Sequence, residues 1–192
     1  MLKDLFVSEV RVKILALMLP NPAESLHVRA IVRAIDTEIN AVRRELSNLY
    51  NIGLMKRRQS SNRIYYTVDT SHILYAELLS LVSKEYGLGA DIIASRKKLG
   101  DIRFAILARR FSRNEPSTML DIDLFIVGSI NLEVLDAIVK NYEQSLGKEI
   151  HYSVMGAEEF LFRKRRNDQF ISKVLSQGRT MLVGDEEELC SI

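Results

Sequence analysis

Asn40-Ala41-Val42-Arg43-Arg44-Glu45-Leu46-Ser47-Asn48-Leu49, running on through Asn51-Ile52-Gly53, is the stretch that decides the reading of the first half of this chain. Val42, Leu46 and Leu49 recur at the three- and four-residue spacing of one helical face over 39–50. Asn40, Ala41, Arg43, Arg44 and Ser47 are thereby left toward the other side. Gly53 suits the left-handed position that closes such a helix. Beyond it, the strand-like runs 54–58 and 63–68 flank the polar segment Gln59-Ser60-Ser61-Asn62, which predicts a β-hairpin. Alternation in the second run sends one of Tyr65 and Tyr66 into the core without saying which. Between positions 43 and 63 the basic residues are Arg43, Arg44, Lys56, Arg57, Arg58 and Arg63, opposed only by Glu45.

Working outward toward the N-terminus, Val10, Ile14, Leu17 and Met18 predict a largely buried helix over 8–19, with Ser8 as N-cap. Pro20-Asn21-Pro22 ends it, because proline cannot continue the hydrogen-bond ladder. A short extended piece at 26–28 leads into a second helix over 28–35, with Ile31, Val32 and Ile35 inward and His27 as a capping or structural residue at its start. The order is then helix, helix, helix, basic hairpin. An α-helix fits the major groove, where Asn and Arg make bidentate contacts to base edges. That chemistry makes Asn40, Ala41, Arg43, Arg44 and Ser47 the expected reading surface. Arg57, Arg58, Asn62 and Arg63 of the hairpin are expected along phosphates or the minor groove.

This stretch resembles the winged helix-turn-helix regulators of the ArsR and MarR type. The resemblance is carried by residues 26–33 (LHVRAIVR), 40–49 (NAVRRELSNL), 52–55 (IGLM) and 62–68 (NRIYYTV), and covers about a third of the chain. It implies double-stranded DNA as partner and a homodimer on a roughly palindromic site, since such dimers set two recognition helices about one turn apart.

The bulk numbers agree with a protein of this kind. The chain has 192 residues, 47% apolar and 27% charged, with a net charge of +2, so a nucleic-acid surface has to come from local clustering. The single cysteine, Cys190, excludes an internal disulfide framework and a cysteine-rich zinc site, and three histidines give no readable metal set. Apolar runs such as 14–19 are far shorter than the ~20 residues a bilayer requires, and charges interrupt the first residues at once, so a cytoplasmic protein without a membrane partner is expected.

Past a helix over 71–85, with Leu74, Leu78, Leu81 and Val82 on one side, and a short helix over 90–98, the pattern changes. Strands are expected at 102–107, 121–127, 150–155 and 180–183. Helices fall at 132–146, 157–166 and 168–175, which implies a small mixed α/β domain. Within it, Asp121-Ile122-Asp123 places two carboxylates two apart. On a strand they share a face and can hold a divalent metal, which in turn grips a triphosphate. The run 100–107 (GDIRFAIL), a gap and then 121–123 (DID) look like the minimal nucleotidyltransferase domains of the polymerase-beta superfamily, over roughly residues 100–184.

That family carries a Gly-Ser pair after the first strand, where this chain has Arg109-Arg110. It often has a third carboxylate on a later strand, where this chain offers only Glu149 or His151. Arginine does not let a backbone approach phosphate as glycine does, so the domain is expected to be inactive. Arg109, Arg110 and Arg113 either attract a phosphate-bearing ligand or form ion pairs with Asp121, Asp123 or Glu115. Arg163-Lys164-Arg165-Arg166 is a second basic run, read as a solvated face or an extension of the DNA contact, and Asp185-Glu186-Glu187-Glu188 as a solvating acidic tail.

The expectation is a mixed α+β chain. It comprises a winged helix-turn-helix over 1–70, linking or dimerising helices over 71–99 (whose apolar stripe equally suits packing within the chain), and a nucleotidyltransferase-like α/β domain over 100–192. Its expected function is transcriptional regulation without a cofactor, the second domain acting as a sensor for a nucleotide or protein effector or as an assembly module. Two alternatives stand beside it. One is an active nucleotidyltransferase of toxin–antitoxin type, with Asp121 and Asp123 holding Mg²⁺ and a nucleoside triphosphate. The other is a protein-interaction module that uses the winged helix without DNA.

Overall fold

A computed structural model describes residues 1–116, 118 and 121–191, and its fold is mixed α+β. The chain divides into two compact units, Met1–Glu85 and Tyr86–Ile192. The first runs α1 (Leu2–Leu5), α2 (Glu9–Met18), β1 (Leu26–His27), α3 (Val28–Ile35), α4 (Ile39–Asn51), β2 (Met55–Ser60), β3 (Arg63–Val68) and α5 (Tyr75–Glu85). The second runs α6 (Gly87–Ala94), α7 (Arg96–Leu99), β4 (Gly100–Ala108), α8 (Arg109–Ser112), β5 (Leu124–Ile130), α9 (Leu132–Leu146), β6 (Tyr152–Met155), α10 (Ala157–Arg165), α11 (Gln169–Ser176), β7 (Arg179–Val183) and α12 (Glu186–Cys190). Among the described residues no helix is long and apolar enough to cross a membrane.

In the first unit, Ser8 caps α2 by accepting from the Arg11 amide, and His27 caps α3 by accepting from the Ala30 amide at Nδ1, 3.1 Å away. Acceptance at Nδ1 puts the neutral ring's proton on Nε2. Asp36 closes α3 in the left-handed conformation. Ile14, Leu15 and Met18 of α2, Ile31 of α3, and Val42, Leu46 and Leu49 of α4 form one core. Tyr66 and Val68 of β3 and Tyr75, Leu79 and Val82 of α5 complete it. The helix expected over 71–85 therefore begins at Tyr75 and belongs to this unit. Of its apolar stripe, Val82 is buried and Leu78 packs on the core, while Leu74 and Leu81 stay exposed. The 71–99 segment is divided between the two units.

The sheet of this unit has the order β1-β3-β2, antiparallel throughout. Gln59 and Ser60, expected in the loop, extend β2, since Ser60 pairs with Arg63 across a two-residue turn whose first residue, Ser61, has φ +52°. Such turns need positive φ, and the turn fixes the register.

The second unit holds a sheet of order β6-β5-β4-β7, with β5 and β6 parallel and the other pairs antiparallel. Its central strands are apolar along both faces, as a sheet covered twice requires. Ala105, Leu107, Leu124 and Ile126 meet Leu88, Ile92, Leu135 and Val139 on one side. Phe104, Ile106, Phe125 and Val127 meet Phe160, Ile171, Val174 and Leu189 on the other. A bulge between Ile102 and Phe104 resets the alternation, so Ile102 joins Ala105 on the first face although they stand three positions apart. Gly128 sits opposite the bulge, where a Cβ would lie 2.2 Å from the Asp101 carbonyl oxygen.

Two expectations change here. Strand β5 begins at Leu124, so Asp121 and Asp123 lie in the segment before it rather than on a strand. The acidic tail is a structured helix: Asp185 caps α12, Leu189 is fully buried, Glu186 pairs with Arg179 at 3.0 Å and Glu188 with Arg103 at 2.6 Å.

Candidate nucleic-acid interface

Helix α4 presents Asn40, Arg43, Arg44 and Ser47 to solvent at positions i, i+3, i+4 and i+7, which is one helical face. Ala41 lies half-buried at its edge. Glu45, the only acid between Arg43 and Arg63, is turned inward and is 3% exposed. Its carboxylate accepts from Arg11 Nε of α2 at 2.8 Å and from Asn48 Nδ2 at 3.5 Å. Burial pushes Glu45 up, but hydrogen bonds from Ser8, Arg11 and Asn48 and the charge of Arg11 outweigh it and hold the carboxyl below its ordinary value. The negative charge is thus held chiefly by Arg11 beneath the helix, with Arg44 Nε of the outer face 3.9 Å from its other oxygen.

The hairpin sorts its charges by register. Directly paired residues share a face, so Arg58 with Tyr65, and Ser60 with Arg63, lie on one side. Arg57 with Tyr66, and Met55 with Val68, lie on the other. Tyr66 is the core tyrosine, and Tyr65 meets His27 edge-on with ring centroids 5.7 Å apart. Arg57 stacks over the Tyr50 ring at 4.3 Å, and Lys56 pairs with Asp69 at 3.0 Å. Arg57, Arg58, Asn62 and Arg63 are all exposed, but Arg57 stands apart from the other three.

Between the root of the hairpin and the two helices lies an open cleft of about 480 Å³, lined by His27, Val28, Arg29, Arg43, Asn62, Arg63 and Ile64. Three elements send an arginine to it and no carboxylate lines it. Among the described residues Arg29, Arg43, Arg58 and Arg63 have no ion-pair partner. Arg29 extends the site beyond the residues picked out from the sequence. The inward set Ile31, Val32 and Ile35 already leaves it on the outer side of α3, in the first turn.

The carboxylates of the second unit are arranged quite differently. Asp121 Oδ2 takes Arg110 Nη1 at 2.6 Å together with the Thr118 amide and hydroxyl at 2.9 and 2.7 Å, while Lys173 Nζ stands 3.7 Å from Oδ1. The Thr118 amide and hydroxyl hydrogen bonds, with Arg110 and Lys173 beside them, hold the Asp121 carboxyl at about 2. Asp123 is 1% exposed and is clasped by backbone: its Oδ2 accepts from the His151 amide at 3.0 Å, and its own amide donates to the His151 carbonyl at 2.7 Å.

The His151 ring is 4.0 Å away, whereas Glu149 faces solvent. Arg113 reaches Glu115 at 3.6 Å, and the Arg109 amide donates to Gly178, so these arginines form ion pairs and close local contacts. A divalent cation does not fit this donor set. Both oxygens of Asp121 already face cations, and among the described residues no three His, Cys, Asp or Glu side chains gather as ligands. No protein-family model, curated protein or solved structure matches the chain.

Proposed function

We propose that residues 1–85 are a winged helix-turn-helix that binds double-stranded DNA, and that the chain is a cytoplasmic, homodimeric transcriptional regulator. The observation that carries this is the convergence of Arg29, Arg43 and Arg63 on one acid-free cleft, with Glu45 neutralised from below. In this reading α4 enters the major groove with Asn40, Arg43, Arg44 and Ser47 toward base edges. Arg29, Arg58, Asn62 and Arg63 lie along flanking phosphates. The second unit is a nucleotidyltransferase-like module without transfer chemistry, because Arg110 and Lys173 occupy the position at Asp121 that a metal would need.

Fluorescence anisotropy with pooled duplex fragments across a salt series tests the first unit. Each phosphate neutralised by a Lys or Arg adds roughly 0.9 to the slope of log affinity against log salt, so the three arginines per subunit predict a steep dependence. Replacing Arg43 and Arg44 together with Ala removes base contacts worth about 1–3 kcal/mol each. The preferred fragment should then bind some 10²-fold or more weakly, while non-specific binding falls less. Undiminished binding of that fragment by the double variant overturns the placement of α4.

A further inference from the structure

A cavity of about 640 Å³ in the second unit opens between α10, α11 and α12, and neither Asp121 nor Asp123 lines it. Its charge is one-sided. Arg103 of β4 and Lys164 and Arg165 of α10 line it against, among the described residues, a single acid, Glu188. Glu188 is half-exposed and pairs with Arg103 at 2.6 Å, and surface pairs of this kind are weakly held. Lys164 Nζ donates to the carbonyl oxygens of Leu189 and Ser191, which are neutral partners, and among the described residues it has no ion pair with Asp or Glu. Burial pushes the Lys164 ammonium below its ordinary value; Cys190 opposes this and the charge of Arg103 adds to it, so an anion in the cavity would favour both cations. Arg165 has no ion-pair partner among the described residues.

The remaining lining has two further characters. Helix α11 turns Ser172 and Ser176 toward the cavity at i and i+4, giving hydroxyls beside the cations. Ile171 and Leu175 form the adjacent row of the same helix and, with Leu161, an apolar floor. The volume falls within the ~300–1,000 Å³ of small-molecule sites, which combine an apolar lining with a few convergent polar groups.

We propose that this cavity binds a small molecule carrying a phosphate group and an apolar or planar body. The phosphate sits against Arg103, Lys164 and Arg165, and the body lies on Leu161, Ile171 and Leu175. This assignment stands independently of the DNA-binding reading.

Isothermal titration of the full chain in EDTA, with ADP and with inorganic pyrophosphate as probes, tests it. ADP is expected to bind one per chain and more tightly than pyrophosphate. Arg165→Ala should weaken both probes about tenfold, and Ser172→Asp, which sets a negative charge in the cavity, should weaken both further. Leu175→Ala should weaken ADP while leaving pyrophosphate unchanged. Arg43→Ala/Arg63→Ala and Asp121→Asn should leave both probes unaffected. The proposal fails if neither probe binds at millimolar concentration. It fails equally if Arg165→Ala and Ser172→Asp leave ADP binding as it was, or if binding disappears in the Arg43/Arg63 or Asp121 variants, which would place the ligand elsewhere.

Discussion

Replacing Arg11 with Ala tests the account of how the basic face is kept free of its one acid. Glu45 is 3% exposed, and the Arg11 guanidinium is its nearest cation at 2.8 Å, with Asn48 contributing a longer hydrogen bond of 3.5 Å. Removing one partner of a fully buried pair costs about 3–5 kcal/mol, and a hydrogen bond to an ionised group is worth about 1.5–3 kcal/mol. Arg11 itself is about one-third exposed, so water replaces part of what it supplies, and Ser8 and Asn48 remain. The expected loss at pH 7 is therefore about 2–3 kcal/mol, or roughly a 30- to 150-fold increase in the opening constant at 1.36 kcal/mol per decade.

The pH dependence of that loss follows from the direction of the shift. In the native protein the folded Glu45 carboxyl is held below its ordinary value. It therefore contributes stability that is present above that value and lost as pH falls through the lowered one. Without Arg11, two of the influences that lower the folded value are gone, so it rises, with burial opposed only by Ser8 and Asn48. The difference between the two proteins should then narrow from mildly acidic pH downward and close once Glu45 is protonated in both.

Amide hydrogen exchange by mass spectrometry resolves this in the intact chain, because peptides from α2 and α4 report on the first unit alone. Arg11→Ala should lose protection there at pH 7, lose less at pH 4 after correction for intrinsic rates, and recover most of it when combined with Glu45→Gln. If α4 in Arg11→Ala is as protected as in the native protein, or if Glu45→Gln restores nothing, then Arg11 does not neutralise Glu45.

Two further outcomes follow from the second unit. Asp121→Asn should cost about 1–2 kcal/mol at neutral pH. The folded carboxyl is held at about 2, so the contribution is present above the ordinary carboxylate value and disappears as pH falls toward 2. Denaturant midpoints of the variant and the native protein should accordingly converge in acid. Gly128→Ala places a Cβ 2.2 Å from the Asp101 carbonyl oxygen and 3.0 Å from Ile102 Cα at a backbone φ of +153°, so a loss of about 2–4 kcal/mol is expected. Exchange in β4 and β5 should rise, and unchanged protection there would mean that the bulge yields more easily than its contacts imply.

How far each part was legible depended on whether its pattern was local. Helices α3 and α9 follow from apolar spacing, with His27 as a cap for α3, and their observed bounds are those read from the sequence. The face of α4 was legible for the same reason, since 3.6-residue periodicity orders Arg43 and Arg44 against Val42 and Leu46 without tertiary information. What escaped depends on partners far along the chain. Glu45 reads as an opponent of the arginines until Arg11, 34 residues earlier, is seen to take it. Tyr65 and Tyr66 are indistinguishable until the register with β2 and β1 sets the faces. Asp121 and Asp123 suit a strand by composition, but β5 starts at Leu124. The acidic run 185–188 reads as a tail because its anchor, Leu189, is one apolar residue whose pocket is built by other elements.

The two arginine groups of this chain separate by what their neighbours do with them. In the second unit Arg110 closes on Asp121, Arg113 on Glu115, Arg163 on Glu159 and Arg179 on Glu186, each within 2.6–3.6 Å. Those charges are internally compensated, and their removal reads out as stability. In the first unit Glu45 is held chiefly by Arg11, with Arg44 at 3.9 Å, and Asp69 by Lys56, while Arg29, Arg43, Arg58 and Arg63 have no ion-pair partner among the described residues. Leaving several like charges exposed and close together carries a repulsive cost that nothing within the unit repays. A polyanion laid across Arg29, Arg43, Arg58 and Arg63 supplies the missing compensation. Arg165, beside the α10–α11 cavity, likewise has no ion-pair partner among the described residues.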